Sequence, residues 1–130
     1  MPIDRRQPEK YKARANVYTQ VIESTGSRTI HIAGTVPMDE NGTPFTGSIR
    51  EQTRMVWKNI GISLDEFGAT PSDVVRINQF TTDMDGYLAE GIGEMENFFG
   101  EHKPTSTLVG VTRLVHPGWV IEIEATAVID

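Results

Sequence analysis

The sequence predicts an α+β sandwich: two helices laid on one face of a mixed sheet of five or six strands. Three observations carry this reading. Two segments space their apolar residues at helical intervals, β-rich runs alternate with them, and paired β-rich runs at both ends read as hairpins. The order is β-β-(β)-α-β-α-β-β. At 130 residues the chain suits a single domain over 1–130, with a polar, proline-punctuated tail over residues 1–12.

Residues 17–23 and 28–34 flank Ser24-Thr25-Gly26-Ser27 and are expected to pair as a hairpin. In the second run Ile30 and Ile32 share one face while Thr29 and His31 share the other. Asp39-Glu40-Asn41-Gly42 is a turn signal. Ser48 and Glu51 then have the spacing of a capping box, in which each side chain bonds the other residue's amide. The helix it opens carries Val56, Ile60, Leu64 and Phe67 on one stripe and is expected to stop before Gly68. Residues 74–82 are rich in β-branched residues and read as a strand. Asp83 or Asp85 is expected to cap the second helix, whose apolar stripe is Leu88, Ile92, Met95 and Phe99. Gly100 ends it and Pro104 forbids its resumption. Strands over 105–114 and 119–129 follow, joined through His116-Pro117-Gly118.

Two helices cover only one side of such a sheet. Phe80, Leu108, Val120 and Val128 are apolar candidates for the other side, so self-association is expected. A formal charge of −6 is a poor match for a phosphate backbone, so no nucleic-acid partner is expected. The absence of cysteine removes disulfides, thiolate nucleophiles and thiolate metal ligands. His31, His102 and His116 show no ligand spacing, so neither a metal nor a cofactor is expected. No apolar stretch suits a secretory leader or a membrane span, and the expected location is the cytoplasm, away from membranes.

Several stretches together resemble the Rid (reactive intermediate deaminase) family, also called YjgF and formerly labelled L-PSP endoribonuclease. They are Tyr18-Thr19-Gln20, Ile32-Ala33-Gly34-Thr35-Val36-Pro37, Glu51-Gln52-Thr53 and Asp73-Val74-Val75-Arg76. Phe98-Phe99-Gly100-Glu101-His102-Lys103-Pro104, Gly110-Val111-Thr112-Arg113-Leu114 and Ile121-Glu122-Ile123-Glu124-Ala125 complete the set, in order over residues 15–128. The resemblance implies a chorismate-mutase-like fold and a homotrimer. In that trimer the sheets form a central barrel, and small-molecule clefts lie between subunits. It also implies hydrolysis of a carboxylate-bearing imine or enamine to a keto acid and ammonia. An arginine grips the substrate carboxylate, and a last-strand glutamate handles water.

Carried over residue by residue, the water-handling glutamate falls on Glu122, and the substrate cleft on Tyr18, Ala33, Gly34, Ile92, Thr105, Ser106, Thr107 and Leu108. Four of these depart from the family pattern. Ser106 stands at the arginine position, Leu108 at a common cysteine, Ile92 at an asparagine and Ala33 at a serine. A guanidinium offers a carboxylate two charge-assisted bonds and a hydroxyl offers one neutral bond. Its loss removes about one to two decades of carboxylate affinity, which argues against 2-aminoacrylate-type substrates. Arg76, Arg113, His31 and His116 are the cations that could substitute. The leading expectation is an imine or enamine hydrolase acting on a different metabolite. The alternative is a trimer that binds a metabolite without catalysis, and ribonuclease activity is the weakest reading. Without the resemblance, Glu122 and Glu124 are simply the polar phase of a half-buried strand.

Overall fold

Ser48 opens the first helix as its spacing dictates. Its hydroxyl accepts the Glu51 amide at 3.2 Å, and the Glu51 carboxylate accepts the Ser48 amide at 3.0 Å. In this computed structural model, which describes residues 3–11 and 17–130, helix α1 spans Ile49–Asp65. Val56, Ile60 and Leu64 are fully buried beneath it, whereas Phe67 is 59% exposed. The stripe ends one step early because the chain leaves the helix at Glu66 and Gly68 takes a φ of 72°.

The strands are β1 (Ile3–Arg6), β2 (Val21–Ser24), β3 (Arg28–Thr35), β4 (Val74–Thr81), β5 (Thr105–Gly110) and β6 (Ile121–Ile129). The last four form a mixed sheet in the order β3-β6-β4-β5, with β4 and β5 parallel and the other pairs antiparallel. Both expected hairpins are replaced by other pairings. At the C-terminal end β4 lies between β5 and β6, and β5 stops at Gly110 rather than 114. At the N-terminal end β2 pairs with β1 in a separate two-stranded ladder, so Ile3–Arg6 is a strand within the expected tail. The reason is side-chain bonding from that segment. Arg5 donates to the Ser72 carbonyl at 2.6 Å, and Gln7 bridges the Tyr18 carbonyl and the Gln20 amide at 2.8 and 2.9 Å. Positions 1, 2 and 12 of the expected tail lie outside the described residues.

Helix α2, residues 84–99, is composite: Met84–Gly86, a π turn over Tyr87–Gly91, and Ile92–Phe99. Asp83 caps it by accepting the Gly86 amide at 3.0 Å. The wide turn changes the phase of the apolar stripe. Met95 and Phe99 are buried as expected, but Tyr87 is fully buried while Leu88 is 41% exposed. Gly91 permits this, because a Cβ there would collide with the Tyr87 ring. Trp57 ties the helices together, stacking on Phe98 at 4.9 Å and meeting Phe99 edge-on at 5.1 Å.

Both helices pack on one sheet face, where Ile30, Ile32, Ile77, Ile121 and Ile123 alternate inward. Phe80 and Val128 lie on the opposite face, but the register puts Leu108 beside Gln79 on the helix side. The open face is more polar than expected. Arg76 donates to Thr107 at 2.6 Å and to Asn78 at 2.8 Å, and Asn78 donates to Glu124 at 2.9 Å. No described helix is long and apolar enough to cross a membrane.

Candidate functional site

The start of β5 positions the first half of the site. Pro104 ends the preceding loop, and the extended chain before β2 docks onto it: the Thr19 amide donates to the Pro104 carbonyl at 3.0 Å. The Thr19 hydroxyl donates to the Lys103 carbonyl as well. Those two bonds set Tyr18 beside Ser106. A cavity of about 270 Å³ results, lined by Val17, Tyr18, Gln79, Leu88, Ile92, Ser106 and Leu108. Four residues expected at the site from sequence, Tyr18, Ile92, Ser106 and Leu108, therefore meet. Among the described residues, the cavity lining holds no Lys, Arg, His, Asp or Glu.

The second half lies elsewhere. Glu122 pairs with Phe80 across β4 and β6 and projects from the open face. Its carboxylate rests against Gly34, close enough that a Cβ at that position would collide with it. Burial pushes the Glu122 carboxyl above the usual carboxylate range, and the neighbouring Glu124 charge adds to the shift. A carboxylate shifted upward in this way is a stronger proton acceptor than an ordinary one. Ala33 lies nearby in a separate open-face cavity of about 370 Å³ that also includes His31, Arg76, Asn78 and Glu124.

Thr105 and Thr107 join neither group. The Thr105 hydroxyl donates to the Val75 carbonyl at 2.6 Å, and the Thr107 hydroxyl accepts from Arg76 at 2.6 Å. None of the four candidate cations lines the Ser106 cavity. Arg76 is committed to the open-face ladder, Arg113 donates to the Leu114 carbonyl at 3.2 Å, and the His116 ring accepts the Gly118 amide at 2.9 Å. His31 stands in the open-face cavity. Among the described residues, no three His, Asp or Glu side chains gather as a metal site requires.

The two halves sit on opposite faces of the sheet, and Gly34 and Ser106 belong to its two edge strands. With strands about 4.8 Å apart, those edges are separated by about 14 Å. A family profile described as Endoribonuclease L-PSP matches residues 9–129. The chain belongs to this family. It is similar to a RutC family protein of Pyrococcus abyssi, 36% identical over 92% of this chain and 91% of that one. A protein of Dermatophagoides farinae named 2-iminobutanoate/2-iminopropanoate deaminase is 29% identical over 87% of this chain and 86% of that one. Among solved structures, a Rid-family protein of unknown function from Yersinia pestis superposes with a TM-score of 0.89 at 32% identity, covering 99% of this chain and all of that one. Yeast Mmf1 gives a TM-score of 0.74 at 28% identity over 87% of both chains. The chain thus has the chorismate-mutase-like α+β architecture of the Rid/YjgF group.

Sequence reasoning missed Val17, Gln79 and Leu88 in the lining. Gln79 had a readable signal: it stands in the buried phase of β4, between Ile77 and Thr81, where a polar side chain must find partners. Leu88 had none, because its exposure follows from the π turn.

Proposed function

We propose that this Rid-family chain hydrolyses small imines or enamines other than the 2-aminoacrylate type, in clefts between the subunits of a homotrimer. The carrying observation is Glu122: its carboxyl, raised by burial, lies on Gly34 and accepts no hydrogen bond from the described residues, leaving it available to water. Water adds to the C=N carbon while Glu122 takes one of its protons and returns it to nitrogen, giving a carbinolamine; an enamine reaches the same point after taking a proton at carbon to become the imine. The carbinolamine hydroxyl then gives up its proton, which Glu122 passes to nitrogen as the C–N bond breaks and the C=O bond forms, so that a carbonyl compound and ammonia leave. The separation of Glu122 from the Ser106 cavity supports a cleft made by two copies, the β3 edge of one lying against the β5 edge of the next. The number three comes from the family resemblance.

Ammonia release from a panel of enzymatically generated imines tests this. Wild type turns over at least one of them, and Glu122→Gln lowers the rate about 10²- to 10⁴-fold, the usual contribution of a general base. Turnover indifferent to that change contradicts the assignment. The second reading, metabolite binding without catalysis, is favoured by Ser106 at the arginine position, and it predicts ligand binding with no ammonia from any imine. The formal charge of −6 weighs against the ribonuclease reading.

A further inference from the structure

Behind Ser106 runs a buried chain of polar groups that the proposed chemistry does not use. Tyr87 is fully buried on α2 and Gln79 is 2% exposed on β4. The Tyr87 hydroxyl donates to Gln79 Oε1. Gln79 Nε2 donates to Ser106 Oγ at 2.9 Å and faces Met95 Sδ at 3.6 Å.

The direction of these bonds is forced. Burial raises the Tyr87 hydroxyl's pKa above its ordinary value, so it keeps its proton at any working pH and must donate it. Its acceptor among the described residues is Gln79 Oε1. The Gln79 amide group is therefore turned toward Ser106 and Met95, and a thioether can only accept. Ser106 Oγ thus receives a hydrogen bond from behind, and its own hydrogen has no acceptor among the described residues. That hydrogen is left for whatever fills the cavity.

We infer that Gln79 and Tyr87 are positioning residues that hold Ser106 as a hydrogen-bond donor, and that the cavity takes an uncharged compound bearing one acceptor atom and a short aliphatic body. The rest of the lining supplies the aliphatic complement: Val17, Leu88, Ile92 and Leu108 surround that one oriented hydroxyl, with Tyr18 at the side. A carboxylate entering here would lose its water and recover one neutral bond, whereas a carbonyl oxygen or imine nitrogen needs only one donor. This deepens the hydrolase reading, because it describes a neutral imine and its ketone or aldehyde product, but the binding claim does not require turnover.

Three probes of one shape test it by titration into the purified protein: 3-methyl-2-butanone, its alkene isostere 2,3-dimethyl-1-butene, and isobutyrate. Wild type binds the ketone more tightly than isobutyrate. Ser106→Ala weakens the ketone about tenfold and leaves the alkene within about twofold, the loss of one neutral hydrogen bond. Tyr87→Phe, which frees Gln79 to turn its oxygen toward Ser106, weakens the ketone in the same direction while sparing the alkene. In wild type, proton contacts seen by NMR run from the Gln79 side-chain amide to the Ser106 β-protons and the Met95 methyl, a readout that survives should Tyr87→Phe fail to fold. Tighter isobutyrate binding, equal losses for ketone and alkene in Ser106→Ala, or Gln79 amide contacts to the Tyr87 ring instead would overturn the inference. Ketone binding by wild type with no ammonia from any imine defeats the hydrolase reading and leaves this inference standing.

Discussion

The two faces of the four-stranded sheet solve opposite problems with the same alternating strands. On the helix side, Ile77, Ile121 and Ile123 pack out of water, and strand polar groups that enter do so bonded, Gln79 to Ser106 and Thr81 to the Val120 carbonyl. On the open side, Thr107, Arg76, Asn78 and Glu124 form a chain of hydrogen bonds across three strands, with Glu122 alongside. The difference teaches that one copy holds the Ser106 cavity and the Glu122 carboxyl on opposite faces of its sheet. On the function proposed above, a reaction that needs both draws them from two copies.

The largest effect expected from this contrast is on stability. Ile77→Ala, which empties a fully buried position, is expected to cost about 2–5 kcal/mol in urea unfolding. Thr126→Ala, on the open face one residue from Ala125, should stay within about 0.5 kcal/mol. Similar losses at the two positions would erase the distinction between the faces. Ser106→Arg sharpens it from the pocket side. Restoring a guanidinium is expected to raise affinity for a 2-oxo acid by about one to two decades, measured by calorimetric titration.

The smallest effect is a pH dependence at Glu122. Its folded pKa is raised, so between the unfolded and folded values the native state holds more protons than the unfolded chain. Stability therefore falls as pH rises through that window. Glu122→Gln should melt above wild type at neutral pH, and the gap should close as pH drops below the unfolded carboxyl value. A gap that widens in acid would reverse the sign.

The α1 cap was legible because Ser48 and Glu51 are three residues apart and bond each other. Local chemistry of that kind reads directly from sequence. The partner of β2 was not legible, because it is chosen by Arg5 and Gln7 reaching backbone groups far along the chain. The face of α2 was read half correctly. Met95 and Phe99 obey ordinary helical spacing, while the π turn over Tyr87–Gly91 exchanges Leu88 for Tyr87. At the site, the grouping of Tyr18, Ile92, Ser106 and Leu108 came from the resemblance, and the placement of Glu122 on the opposite face required the strand register.

Mixing two disabled variants tests the two-copy site most directly. Glu122→Gln lacks the carboxyl and Leu108→Trp fills the Ser106 cavity, so neither should release ammonia from an imine that wild type hydrolyses. Unfolded, mixed in equal amounts and refolded together, they should recover about a quarter of wild-type activity, the fraction of seams at which an intact edge of each kind meets. Mixed oligomers, verified by mass, that remain inactive would place the whole site within one copy and contradict the account.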